Sequence, residues 1–140
     1  MILYLDTSAI VKIYVRERNS SKVQRLVQDA RWVSTGRIAY PEARAALARR
    51  NREGKLSAAG LRRAASALER DLGRFAVVEM SPEVSRMAGN LAERHALRAY
   101  DAVHLASAVS LARWVQATIL FSSFDDRLNA AAVAAGLTIR

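Results

Sequence analysis

The stretch M-I-L-Y-L-D-T-S-A-I at residues 1–10 restricts the possible folds more than any other part of the chain. Ile2, Leu3, Tyr4 and Leu5 form an unbroken apolar run, the pattern of a strand covered on both faces. Such a strand lies in the middle of a sheet. Asp6 stands where it should end, before two hydroxyl residues, Thr7 and Ser8, and an amphipathic stretch from Ala9 to Val15 that can start a helix. A carboxylate at the carboxyl edge of a central strand occupies the place where open α/β sheets bind ligands. Asp followed by Thr and Ser is also a good helix N-cap. Company separates the two readings, because a cap needs one acid whereas metal or acid chemistry needs several converging on one point.

The rest of the chain alternates in the same way. Ser20 or Ser21 caps a helix carrying Val23, Leu26, Val27 and Ala30. Trp32 and Val33 then suggest a short strand ending in a turn-like cluster, Ser34 to Gly36. Pro41 and Glu42 fall in the first turn of a helix that stops near Gly54, and Ser57 caps its antiparallel partner, which runs to about Leu72. Phe75 to Val78 form a third strand. Ser81, Pro82 and Glu83 open a helix that ends near His95, and a nearly all-apolar helix follows from Asp101 to Val115, its polar members Asp101, His104, Ser107, Ser110 and Arg113 recurring every third position. Ile119 to Phe121 form a fourth strand, Asp125 or Asp126 caps a helix over Arg127 to Ala135, and Leu137 to Ile139 form a last strand. The expectation is an α/β fold: a three-layer α/β/α domain around a mainly parallel sheet, as one domain over residues 1–140.

Four acids share a position type in this order. Asp6, Glu42, Asp101 and Asp125 each lie at the start of a helix, and in a parallel α/β fold the helices that follow strands begin at one sheet edge. Carboxylates gathered there repel, by roughly 4 kcal/mol for two charges about 4 Å apart at an effective dielectric of about 20, so the cluster must protonate, spread or bind a cation. The chain has no cysteine and no second histidine at ligand spacing, which excludes zinc-thiolate sites and disulfides and leaves an all-oxygen site for Mg2+ or Mn2+. His104 reads as a core residue or as a support to that site rather than a metal ligand.

Charge points to the partner. The chain carries a net +9, and the segment from Arg44 to Arg74 holds nine bases against three acids, two thirds of that excess on one helical hairpin. Such a surface favours polyanions, although a solvated helical face explains it equally well. A metal at the edge of a basic surface suits phosphodiester hydrolysis. No apolar run approaches the roughly 18 residues of a membrane span, and no basic-then-apolar leader opens the chain, so a soluble cytoplasmic protein with no membrane partner is expected.

Four blocks resemble the signature segments of PIN-domain ribonucleases, and most nearly the VapC-like toxins of type II toxin-antitoxin systems: L-D-T-S-A at Leu5 to Ala9, P-E at Pro41 and Glu42, Y-D-A-V-H-L-A-S-A at Tyr100 to Ala108, and F-S-S-F-D-D-R-L at Phe121 to Leu128. The resemblance implies a Mg2+- or Mn2+-dependent endoribonuclease whose metal-binding acids are Asp6, Glu42, Asp101 and Asp125, the last preferred to its neighbour Asp126. It places Ser8 and Ser123 where hydroxyls help to orient the cluster. It also implies a homodimer, a structured RNA substrate such as tRNA or rRNA, and a cognate antitoxin that silences the enzyme. The rival reading is a non-catalytic basic module that grips RNA or protein, with the acids serving as caps. A receiver domain or a haloacid-dehalogenase-type phosphatase is disfavoured, since Ser8 stands where the latter would need a second Asp.

Overall fold

The computed structural model describes residues 1–140. Five strands, β1 (Ile2–Leu5), β2 (Trp32–Gly36), β3 (Ala76–Val78), β4 (Ile119–Ser122) and β5 (Thr138–Ile139), form one sheet in the order β3-β2-β1-β4-β5, and every neighbouring pair is parallel. Seven helices connect them: α1 (Thr7–Tyr14), α2 (Ser20–Asp29), α3 (Ala39–Arg52), α4 (Ala58–Leu72), α5 (Pro82–His95), α6 (Ala99–Val115) and α7 (Asp126–Ala134). None is long and apolar enough to cross a membrane.

Alternation along β1 explains its unbroken apolarity. Leu3 and Leu5 pack into a core built with α1 to α4, whereas Tyr4 faces the opposite core, built with α5 to α7. β4 does the same, with Leu120 on the first side and Ile119 and Phe121 on the second. Helices therefore cover both faces, and side chains of either parity must be apolar. The expected three-layer α/β/α arrangement is present, with a sheet that is wholly rather than mainly parallel.

Two segments differ from the sequence reading. Ser34, Thr35 and Gly36 continue β2 instead of turning, because buried hydroxyls there have fixed acceptors: Ser34 Oγ donates to the Ala76 carbonyl at 2.6 Å and Thr35 Oγ1 to the Leu5 carbonyl at 2.7 Å. The polar stripe of α6 lies inside the fold, in keeping with the apolar character of that helix. His104, Ser107 and Ser110 are buried, and Ser107 turns its hydroxyl back onto the Val103 carbonyl at 2.8 Å. Ser57, Ser81 and Asp125 cap as expected, accepting from the third residue of their helices, but neither Ser20 nor Ser21 caps α2: Asn19 precedes it in the left-handed region without a side-chain cap, and Ser20 Oγ instead accepts from the Glu17 amide at 3.0 Å and donates to the Val15 carbonyl at 2.8 Å.

The strand order creates one switch point. From β1 the chain winds outward through β2 to β3, then returns by α5 and α6 to β4, on the other side of β1, and continues outward to β5. Connections leaving β1 and β4 therefore diverge, and a crevice opens between the carboxyl ends of these neighbours. Asp6 immediately follows β1 and Asp125 lies three residues after β4.

Candidate active site

The crevice is stitched by short polar links. The Asp6 amide extends the β1–β4 ladder by donating to the Ser122 carbonyl at 3.1 Å. Ser8 then bridges the two strand ends, donating to Asp6 Oδ1 at 2.7 Å and accepting from the Phe124 amide at 3.0 Å. Ser123 Oγ accepts from the Asp125 amide at 3.1 Å, fixing the turn into α7. Both hydroxyls expected beside the acids thus lie at the crevice.

Asp6 is 3% exposed and caps α1 by accepting from the Ala9 amide at 2.9 Å. Burial pushes its carboxyl above the usual range, against the opposing pull of the Ser123 and Ser8 hydroxyls, His104 and the Ala9 amide. No lysine or arginine pairs with it. A buried carboxylate without a cation is an expensive feature, which protonation or a bound cation offsets.

Glu42, in the first turn of α3, shows the opposite balance. Burial works against its charge, but hydrogen bonds from His104 Nε2 at 2.8 Å and Thr7 Oγ1 at 2.7 Å outweigh that and hold the carboxyl below its ordinary range. Both bonds fall on Oε1. His104 is itself 1% exposed, and its other nitrogen, Nδ1, lies 3.0 Å from the Tyr4 hydroxyl.

Asp101 and Asp125 meet through a cation. Arg98, just before α6, donates from Nε to Asp101 Oδ2 at 2.8 Å and places its guanidinium 3.7 Å from Asp125 Oδ2. Asp125 Oδ1 caps α7 through the Leu128 amide at 2.8 Å, which leaves Asp126 exposed outside this arrangement.

All four acids therefore lie at helix starts on one edge of the sheet, but as linked pairs and not as one ligand cage. Asp101 and Asp125 share Arg98, Glu42 is drawn to His104 and Thr7, and Asp6 is held by Ser8. No three His, Asp or Glu side chains stand close enough to share a metal ion. The donor chemistry still fits a hard divalent cation, since it is all carboxylate and one member is buried without a counter-charge. Arg98 stands against two of the acids where such an ion would carry the charge.

Sequence reasoning missed three participants. Thr7 was visible only as a neighbour of Asp6, and Arg98 only as a base three residues before Asp101 on the same helix turn. Tyr4 gave no signal at all, because its partner lies 100 residues away.

The basic hairpin of α3 and α4 begins at the crevice, with Glu42 in the first turn of α3, and runs away from it with most of its bases in solvent. Arg44, Arg49, Arg52, Lys55, Arg62, Arg63, Arg70 and Arg74 are exposed, while Arg50 is tied to Glu17 at 3.0 Å. A surface cavity of about 660 Å³ opens at the far end of α3 among Glu17, Arg49, Arg50, Arg52 and Lys55.

On this doubly covered parallel sheet with acids at its switch point, the family model of the PIN domain matches residues 3–134. The chain belongs to the PIN-domain family. Its place there is among the VapC ribonucleases: it is 37% identical over 138 residues to Ribonuclease VapC45 of Mycobacterium tuberculosis, spanning 99% of this chain and 94% of that one. The fold is also that of the crystal structure of Mycobacterium tuberculosis VapC20, described as a sarcin-ricin loop cleaving toxin, with a TM-score of 0.67 at 19% identity over 92% of this chain and 94% of that one. A toxin-antitoxin complex from Klebsiella pneumoniae contains a similar chain, with a TM-score of 0.58 at 14% identity over 89% of this chain and 88% of that one.

Proposed function

We propose that this chain, as one PIN unit over residues 1–140, is a Mg2+- or Mn2+-dependent endoribonuclease and the toxin of a toxin-antitoxin pair. The observation that carries the reading is the buried, uncompensated Asp6 carboxylate at the β1–β4 switch point, with Glu42, Asp101 and Asp125 at neighbouring helix starts. These four side chains would hold the ion, with Ser8 and Ser123 fixing the backbone that presents Asp6 and Asp125. When bound, the ion supplies positive charge for the phosphoryl oxygens and makes an attacking water easier to ionise. Arg98 must yield its carboxylates for that to happen, and its exposed guanidinium is then free to meet a phosphate.

RNA is the expected substrate, tRNA or rRNA in particular, with the α3–α4 arginines as the phosphate-tracking surface. A cognate antitoxin and a homodimer in the cytoplasm complete the reading. One observation favours a rival, a non-catalytic basic RNA-binding module: no three acids share a point. Cleavage of structured RNA by the purified chain, with and without Mn2+, decides between them. The nuclease reading expects cutting that EDTA stops and Asp6→Asn abolishes, together with thermal stabilisation that rises as the logarithm of Mn2+ concentration. Undiminished cutting by Asp6→Asn, or no Mn2+ stabilisation, would refute it.

A further inference from the structure

Outside the acids themselves, the most unusual group in the fold is His104. It sits on the buried helix α6, 1% exposed, with both ring nitrogens engaged by side chains drawn from other elements. Nε2 lies 2.8 Å from Glu42 Oε1 on α3 and 3.0 Å from Thr7 Oγ1 on α1. Nδ1 lies 3.0 Å from the Tyr4 hydroxyl on β1. A histidine kept only for packing needs one acceptor and one donor, both of which the backbone can supply. This one spends its outer nitrogen on a carboxylate of the proposed site.

The hydrogen bookkeeping has one solution with a neutral ring. Glu42 offers only acceptors, so Nε2 must carry the proton that faces it. Nδ1 is then a bare acceptor and needs a donor. The phenol of Tyr4 is the group in reach, and the neighbouring Ser107 hydroxyl is already committed to the Val103 carbonyl. Tyr4 cannot turn away. Its ring is fully buried, stacked on Phe121 at 5.6 Å and 10°, and set edge-on to His104 at 6.0 Å and 77°.

We propose that Tyr4 and His104 form a positioning relay for Glu42. The Tyr4 hydroxyl donates to Nδ1 and so selects the His104 tautomer that donates from Nε2 to Glu42 Oε1. Thr7 adds a second donor to the same oxygen. One carboxylate oxygen is thereby locked and the other, Oε2, is left for the divalent cation. A long, three-torsion side chain on α3 is ordered before any ion arrives, so the cost of ordering it does not weaken binding. The assignment rests on the nuclease reading, because it requires Glu42 to be a metal ligand.

The test uses the full chain and Mn2+ alone. Long-range 1H–15N NMR of wild type should show a neutral His104 protonated on Nε2, and Tyr4→Phe, which removes only the hydroxyl, should lose that single-tautomer signature. Mn2+ affinity, read from the EPR signal of the free ion with folding checked by circular dichroism, should weaken about 10- to 100-fold in Tyr4→Phe and His104→Ala. His104→Gln, which can still aim an amide donor at Glu42, should recover part of it. A purely structural role predicts equal Mn2+ affinity in every variant that folds. An Nδ1-protonated or cationic His104 in wild type, or a folded Tyr4→Phe with wild-type affinity, overturns the relay and leaves the nuclease reading standing. A wild-type chain that binds no Mn2+ overturns both.

Discussion

Two glycine-to-alanine substitutions should shift stability in opposite directions, for reasons visible in the sheet and in α5. At Gly36, the last residue of β2, an added Cβ would lie 2.9 Å from the Tyr4 hydroxyl and 3.2 Å from Ser107 Oγ. Real Cβ atoms do not sit under 3.0 Å from such a group, so something must shift. The phenol has no easy escape, being fully buried and stacked on Phe121. Overpacking of this kind costs about 1–3 kcal/mol, and a hydroxyl pushed off His104 adds about 1 kcal/mol more. At Gly89, in the middle of α5, an added Cβ meets nothing within 4 Å and the residue is exposed. There alanine should gain about 0.5–1 kcal/mol by reducing the freedom of the unfolded chain and favouring helix. The gap between Gly36→Ala and Gly89→Ala is thus about 2.5–5 kcal/mol, or roughly 10–20 °C in melting temperature for a chain of this size. Urea and thermal denaturation of the metal-free protein measure it. A Gly36→Ala protein as stable as wild type would refute the claim that the Tyr4–His104 contact is rigid.

Three further outcomes are expected. Glu17 joins the α1–α2 connector to α3 through Lys12 at 2.9 Å and Arg50 at 3.0 Å; burial opposes its charge, but these partners prevail and depress its carboxyl. The resulting stability is present above the ordinary carboxylate range and is lost as pH falls through the depressed value. Glu17→Gln should therefore cost about 1 kcal/mol at pH 7 and nothing at about pH 2, by urea denaturation; an equal loss at both would contradict it. Asp6 has the opposite sign, since burial raises its carboxyl and the charged form weakens the metal-free fold as pH climbs through the raised value. Asp6→Asn keeps the cap, so without metal it should melt at or above the wild-type temperature at pH 7 by differential scanning calorimetry, and a clear drop would refute this. Arg98→Gln removes a cation that competes for Asp101 and Asp125, so Mn2+ should bind several-fold more tightly in a calorimetric titration, with little change in melting temperature. Weaker binding would make Arg98 a helper of the ion and not its rival.

Legibility in the sequence followed from where information is local. β1 and β4 announced themselves because both of their faces are covered, and the caps at Ser57, Ser81 and Asp125 because capping chemistry spans only three residues. Ser34 to Gly36 misled, since their strand conformation depends on carbonyls of Leu5 and Ala76 that no local pattern reveals. The four acids were found by position type, each at the head of a helix. Their pairing was not, because it depends on contacts of Arg98 with Asp125 and of Thr7 and His104 with Glu42 that join residues distant in the chain. As fourth acid Asp125 is preferred to Asp126 from the motif alone, whereas which of the two caps α7 is visible only in the structure, where the Asp125 side chain accepts from the Leu128 amide.

The central place of β1 has a consequence for synthesis. The first strand made is flanked on one side by the fourth, whose register pairs Ile2 with Ile119 and Leu5 with Ser122. Until some 120 residues have left the ribosome, Asp6 has no β4 beside it and the crevice has one wall. A chain that attacks RNA would thus lack its complete crevice for almost the whole of its own elongation, and any fragment released early would carry Asp6, and at most Glu42 and Asp101 with it, without β4 or Asp125.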